Sequence, residues 1–183
     1  MVDRQGAGSS LSFPFLMSHE LSVATPAYGG AEGVKVTVLT SIADGDTANT
    51  LRLSLPNHIG THVDLPSHFF DAAPSLTDYG ADHWVFTDPV VVTVDVPSGA
   101  LVMPAHLIGQ LAGEPDLVLV RTGHEATRGS DRYWKGGPGL SPELGVWLRT
   151  QYPSVRAVGM DLISVTSQLA RDSGRAAHRA FLD

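Results

Sequence analysis

The sequence predicts a single compact α/β domain with a mixed sheet, and three observations carry that expectation. Between Pro89 and Met160, apolar strand-like runs alternate with helical stretches in the order strand, helix, strand, helix, strand, the pattern of crossover units whose strands run parallel. Nearer the start, Val34 to Ile42 and Leu51 to Leu55 alternate as strands do, and Asp44-Gly45-Asp46 between them reads as a turn with local side-chain hydrogen bonds. The length of 183 residues, with 43% hydrophobic and 17% charged content, suits one hydrophobic core.

Taken in order, residues 1–10, with Gly6, Gly8, Ser9 and Ser10, are expected to form a flexible terminus, and residues 11–183 the folded domain. Pro89 to Val96 holds Val90-Val91-Val92-Thr93-Val94, a near-continuous apolar run expected of a buried strand. Pro104 to Leu111 sets proline in a first helical turn ahead of apolar residues at helical spacing. Asp116 to Arg121 is a further apolar strand, Ser141-Pro142-Glu143 opens a helix to about Gln151 with serine as N-cap, and Val155 to Met160 is again strand-like. Gly136-Gly137-Pro138-Gly139 reads as a flexible loop whose glycine spacing misses the phosphate-binding fingerprints, so nucleotide binding is not expected. No internal repeat or second domain boundary interrupts the chain.

Composition removes several function classes. With 12 Lys plus Arg against 19 Asp plus Glu the net charge is −7, and no basic stripe offers itself to nucleic acid. No apolar run approaches the roughly 20 residues that cross a bilayer, and Met1 to Ser10 lacks the order of a secretory signal, so a cytoplasmic protein is expected. The absence of cysteine excludes disulfides, thiol catalysis and thiolate-rich metal sites. No Gly-x-Ser-x-Gly elbow is present for a serine hydrolase.

The most informative segment is His58-Ile59-Gly60-Thr61-His62-Val63-Asp64-Leu65-Pro66-Ser67-His68, which places three imidazoles and a carboxylate at alternating positions. Ile59, Thr61, Val63, Leu65 and Phe69 occupy the other face, expected to turn to a core. Its β-branched residues, Gly60 and Pro66 disfavour a regular helix. In a straight strand, residues four apart lie about 13 Å from each other, too far for two imidazole nitrogens that must each approach one ion to about 2 Å. A bend at Gly60 is therefore expected. Two histidines and one carboxylate, His58, His62 and Asp64, suit zinc or manganese and leave coordination positions open, as a catalytic rather than a structural site requires.

These eleven residues resemble the signature His-x-Gly-Thr-His-x-Asp-x-Pro-x-His of the cyclase family of metal-dependent hydrolases, which includes bacterial kynurenine formamidase and isatin hydrolase, and reproduce it in full. Thr25-Pro26-Ala27-Tyr28, Val118 to Gly123, Val158-Gly159-Met160-Asp161 and Ala177-His178 continue the likeness in order, over nearly all of the chain from about residue 17. The resemblance implies a swivelling β/β/α fold. It also implies that His58, His62 and Asp64 bind a first metal ion, with Asp64 able to bridge to a second. His68 would then be the acid/base catalyst, His178 a ligand of the second ion and Tyr28 an aromatic contact to substrate. Without the resemblance, His178 reads as an exposed residue among arginines.

The implied activity is hydrolysis of a C–N amide bond, in an aryl formamide or a cyclic amide, by metal-activated water with His68 moving the proton. In binuclear relatives a glutamate follows the second-metal histidine by about a dozen residues, whereas the sequence ends at Asp183, five residues after His178. A truncated chain and a short form with a mononuclear site are both open, and in either the family's closing strands are missing. A sheet edge left exposed in this way would be covered by another subunit, which predicts a homo-oligomer, dimer or tetramer. The competing expectation is a metal-binding or regulatory module without turnover. A cupin fits less well, since its ligands begin His-x-His. His19, His83, His106 and His124 read as surface or capping residues, with His124 the nearest to a pocket. Asp161 reads as a supporting carboxylate, and Asp71, Asp78, Asp82 and Asp172 as turn or surface groups. Phe69-Phe70 hints at an aromatic ligand.

Overall fold

The computed structural model describes residues 18–183; the expected flexible terminus over residues 1–10 lies outside them. After a short turn at Tyr28–Gly30, the described residues form a hairpin of β1 (Lys35–Thr40) and β2 (Thr50–Ser54), paired antiparallel with Val36 opposite Leu53 and Val38 opposite Leu51. The turn between them is built as read: Asp46 accepts a hydrogen bond from the Ser41 amide at 2.7 Å, and Gly45 supplies the left-handed residue.

The centre is a parallel three-stranded sheet in the order β3 (Pro89–Thr93), β5 (Leu117–Arg121), β7 (Ala157–Met160). A short parallel pair, β4 (Leu101–Val102) with β6 (Gly139–Leu140), forms a separate sheet. Parallel and antiparallel pairings thus both occur, divided among three small sheets. No sequence reading anticipated β4 or β6; Gly139, read as loop, is a strand residue paired with Leu101, and only glycine fits there, since a Cβ would stand 2.7 Å from the Ser167 nitrogen and 2.8 Å from the Val165 carbonyl.

Two substantial helices cover this sheet, α3 (Pro142–Gln151) and α4 (Arg171–Leu182). Ser141 caps α3 as expected, its hydroxyl accepting from the Leu144 amide at 3.1 Å. The helix expected over Pro104 to Leu111 stops after one turn, α1 (Pro104–Leu107), since Ile108 turns extended and Gly109 takes a positive φ. Another single turn, α2 (Arg132–Lys135), precedes β6. Val92, Val118 and Val120 from the sheet pack with Leu144 and Leu148 of α3 and Ala177 of α4, each large aliphatic contributing about 1.5–3 kcal/mol on burial. β3 is covered on one face only: Val92 is fully buried while Val91 is 59% exposed, so the apolar run does not mark a strand buried on both sides. α3 approaches α4 closely because a Cβ at Gly145 would stand 2.9 Å from the Ala180 carbonyl, leaving room only for glycine. No described helix is long and apolar enough to cross a membrane.

Candidate metal centre

β2 ends at Ser54, and the chain then leaves regular structure to build the histidine segment. The expected bend is present: Gly60 has φ +64°, a left-handed conformation that side-chain-bearing residues rarely adopt. It is packed from outside by Leu21, whose Cδ1 lies 3.1 Å from where a Cβ would stand. The bend brings the His58 and His62 rings to 5.2 Å between centroids. It also breaks the period of two, so Ile59 is buried while Val63 is 58% exposed, and the expected apolar face holds at Ile59 but not at Thr61 or Val63. Pro66–His68 then form one 3₁₀ turn, closed by the His68 amide donating to the Leu65 carbonyl at 2.8 Å.

Five of the six predicted site residues converge. His58, Asp64 and His68 offer ligand-type atoms within 4.8 Å of one another. His58 Nδ1 stands 2.6 Å from Asp64 Oδ1, His62 Nε2 is 3.4 Å from the same oxygen, and His178 Nε2 is 4.0 Å from Asp64 Oδ2. Ligands of a tetrahedral ion with bonds of about 2.0–2.1 Å lie about 3.3 Å apart, so these separations are of the scale an ion would set.

Two further observations fit a cation. Asp64 Oδ1 is buried with no hydrogen-bond partner, which means that the close approach of His58 lacks the alignment of a hydrogen bond; such an oxygen is costly unless something else satisfies it. In addition, His62 Nδ1 lies 2.9 Å from the Gly60 carbonyl and His178 Nδ1 2.8 Å from the Gly174 carbonyl. A proton donated there fixes the tautomer and leaves each Nε2 lone pair facing Asp64, the arrangement in which metal-binding imidazoles are oriented.

Electrostatics agree with the geometry. Burial alone would raise the Asp64 pKa, but the His62 imidazole close beside it and the nearby charges of His58, His62 and His68 outweigh it and bring the value to about 2. The Asp64 carboxylate close beside it, which a second proton on Nε2 would face, is what chiefly raises His62 above its ordinary value, against its partial burial. His68 moves the other way, lowered by partial burial and then by His58, with Asp64 opposing and His178 and His62 adding to the fall.

His178 is buried, contrary to its reading as an exposed residue among arginines. Phe69 stacks on it at 4.6 Å and 13°, while Arg179 lies over Phe70 at 4.3 Å and donates to the Phe69 carbonyl. The aromatic pair that suggested a ligand therefore docks α4 onto the turn carrying His68. Sequence reasoning singled out Phe69 but missed its stacking on His178; the signal was its place next to His68, with Arg179 next to His178.

Tyr28 stands apart. It occupies a short turn beside Arg171, where burial raises its pKa and Arg171 partly offsets the rise. Among the described residues no hydrogen bond or ring contact joins it to the five. His124 is tied to the Tyr133 carbonyl at 3.0 Å, and His106 caps α1 by accepting from the Met103 amide at 2.8 Å. Asp161 acts as a supporting carboxylate, accepting from the Thr122 amide and hydroxyl and, at 2.6 Å, from the Gly123 amide. Glu125, also unanticipated, has its pKa raised chiefly by the neighbouring Asp161 carboxylate, and its Oε2 is buried without a hydrogen-bond partner.

The family model described as "Putative cyclase" matches residues 15–167, a span containing His58, His62, Asp64 and His68. The kynurenine formamidase of Bordetella pertussis is 27% identical over 166 residues, 89% of this chain and 76% of that protein. That of Bordetella petrii is 28% identical over 149 residues, 81% and 68% of the two chains. Isatin hydrolase A from Ralstonia solanacearum superposes with a TM-score of 0.69 at 20% identity, over 90% of this chain and 74% of that one. A structure described as a potential metal-dependent hydrolase with cyclase activity gives 0.65 at 15% identity, over 90% and 76%. With its signature segment inside a match that spans most of its length, the chain belongs to the cyclase family.

Proposed function

We propose that this chain is a metal-dependent amidohydrolase that cleaves a C–N bond in an aryl formamide or a cyclic amide. The observation that carries the reading is the orphaned Asp64 Oδ1 within a ring of imidazoles, two of which have their Nδ1 atoms held by backbone carbonyls. His58, His62 and Asp64 would hold a zinc or manganese ion, with His178 a further ligand. A divalent ion at such a site lowers the pKa of water and polarises a carbonyl.

The chain's own groups supply the rest. His68, held below its ordinary pKa, is neutral near pH 7 and able to take the proton of the attacking water. It returns that proton to the nitrogen as the C–N bond breaks, giving a carboxylate and a free amine, or one ring-opened amino acid from a cyclic substrate. The family resemblance alone assigns Tyr28 to the substrate, since among the described residues no hydrogen bond or ring contact joins it to the five. The amide classes are suggested by the kynurenine formamidases and isatin hydrolases to which the chain is similar.

The test loads purified protein with zinc or manganese, counts ions by mass spectrometry and follows N-formyl arylamines and isatin-type lactams by chromatography. Hydrolysis that needs the ion and fails in Asp64→Asn supports the proposal. Bound metal with neither substrate class cleaved would leave a binding module instead.

A further inference from the structure

α4 carries His178 and Arg179 side by side, and each lands on one of two consecutive aromatic rings. The Phe69 ring lies face to face with the His178 imidazole, centroids 4.6 Å apart at 13°. Arg179 sits over Phe70 at 4.3 Å, and its Nη1 donates to the Phe69 carbonyl at 3.3 Å. The turn beneath these rings is itself tied down. Both the Phe69 and the Phe70 amides donate to the Pro66 carbonyl at 3.0 Å, and the Ser67 amide donates to the Pro74 carbonyl at 3.1 Å.

His178 needs such a platform. Its Nδ1 bond to the Gly174 carbonyl at 2.8 Å ties it to its own helix, but one hydrogen bond leaves the ring able to rock, because the torsion that turns an imidazole has broad wells. A phenyl flat against one face removes that freedom. What stays open is the ring edge, with Nε2 4.0 Å from Asp64 Oδ2. The same phenyl meets His68 edge-on at 4.7 Å and 87°, so it stands beside two imidazoles whose centroids are 6.0 Å apart. An aliphatic side chain could fill this space, yet it has no flat face to align a ring.

We propose, resting on the metal-binding part of the function given above and not on its amide chemistry, that Phe69 is a positioning residue for the cluster. It sets the orientation of His178, and Arg179 holds Phe69 against that ring. The grip on a divalent cation then depends on α4 being docked on the turn that carries His68.

Zinc affinity of the full chain, measured by competition with a chromophoric chelator, is compared across a double-mutant cycle. Phe69→Leu is expected to bind zinc about 10–100-fold more weakly, the usual cost of losing a group that orients a ligand. Phe69→Tyr, which keeps the flat ring, returns the affinity to near that of the parent. Arg179→Gln, a change at an exposed residue, weakens binding several-fold. In the His178→Ala background, Phe69→Leu adds no further loss, because its effect passes through the missing imidazole; a purely structural role would add in full. A second readout needs no metal. In the metal-free chain, nuclear magnetic resonance of the His178 ring should show the Nδ1-protonated tautomer and ring protons moved upfield by the phenyl face, and Phe69→Leu should lose the upfield shift. Unchanged zinc affinity in Phe69→Leu overturns the proposal, as does an undiminished loss in the His178→Ala background. If Phe69→Leu fails to fold, Arg179→Gln and the ring signal of the parent decide. A parent that binds no zinc overturns the metal reading and the dependence of affinity on docking, while the ring signal still decides whether Phe69 orients His178.

Discussion

Replacing Gly174 by alanine in the interior of α4 tests how His178 is held. On helix propensity alone the change would stabilise the protein by about 1 kcal/mol. The structure predicts the opposite sign. The new methyl would stand 2.2 Å from Thr166 Oγ1, 2.3 Å from its Cγ2 and 2.7 Å from its Cβ, against ordinary contacts of about 3.5–4.0 Å. Either α4 or the segment bearing Thr166 must move by roughly 1 Å, an overpacking that costs about 1–3 kcal/mol. After the propensity gain, the net loss is up to about 2 kcal/mol, or a fall in Tm of up to about 8 °C for a chain of this size. The same displacement shifts His178, whose Nδ1 rests on the Gly174 carbonyl and lies 3.3 Å from Thr166 Oγ1. Thermal denaturation by circular dichroism measures the first effect and zinc affinity by competition the second. Thr166→Gly removes all three clashing atoms and is expected to restore both in the double variant. A Tm for Gly174→Ala at or above that of the parent would refute the packing argument.

Asp64→Asn should abolish stoichiometric zinc or manganese binding, measured by elemental analysis after dialysis, because the shared carboxylate is lost. His68→Ala should keep the ion yet lower kcat by about 10²–10⁴, the usual worth of a positioned acid/base; intact turnover would remove that role. For the metal-free protein, Asp64 titrates near 2 when folded against an ordinary 3.8, so its contribution is present above about pH 4 and lost as the pH falls towards 2. Urea unfolding at stepped pH should show this loss in the parent and not in Asp64→Asn. His62 is raised above 6.5, so its contribution has the other sign, complete below pH 6.5 and lost as the pH rises. Asp161→Ala frees three bonds at the turn after β5 and should cost about 2–3 kcal/mol, seen as a lower urea midpoint.

Much of the site could be read from the sequence because it is local. The spacing of His58, His62, Asp64 and His68 and the need for a bend at Gly60 follow from side-chain reach and backbone sterics within one short segment. His178 was different: its burial depends on Phe69 and on the close passage of α3 past α4, which neighbouring residues do not encode, and only the family resemblance pointed to it. The parallel strands were legible from apolar runs, whereas β4 and β6 are two-residue pairings fixed by tertiary contact. The α1 region failed for a local reason that pattern alone outweighed, since apolar spacing continued through Ile108 although Gly109 ends the helix.

The carboxylate and imidazole that face each other across the cluster come from distant parts of the chain, as do Phe69 and Arg179 beside them, 110 positions apart. An ion gripped from both sides would act as a reversible staple on a very long loop. In the chain-entropy picture, clasping a loop of about 100 residues is worth about 4–5 kcal/mol. Metal loading would then slow unfolding more than any single side chain does, and chelation would loosen α4 first.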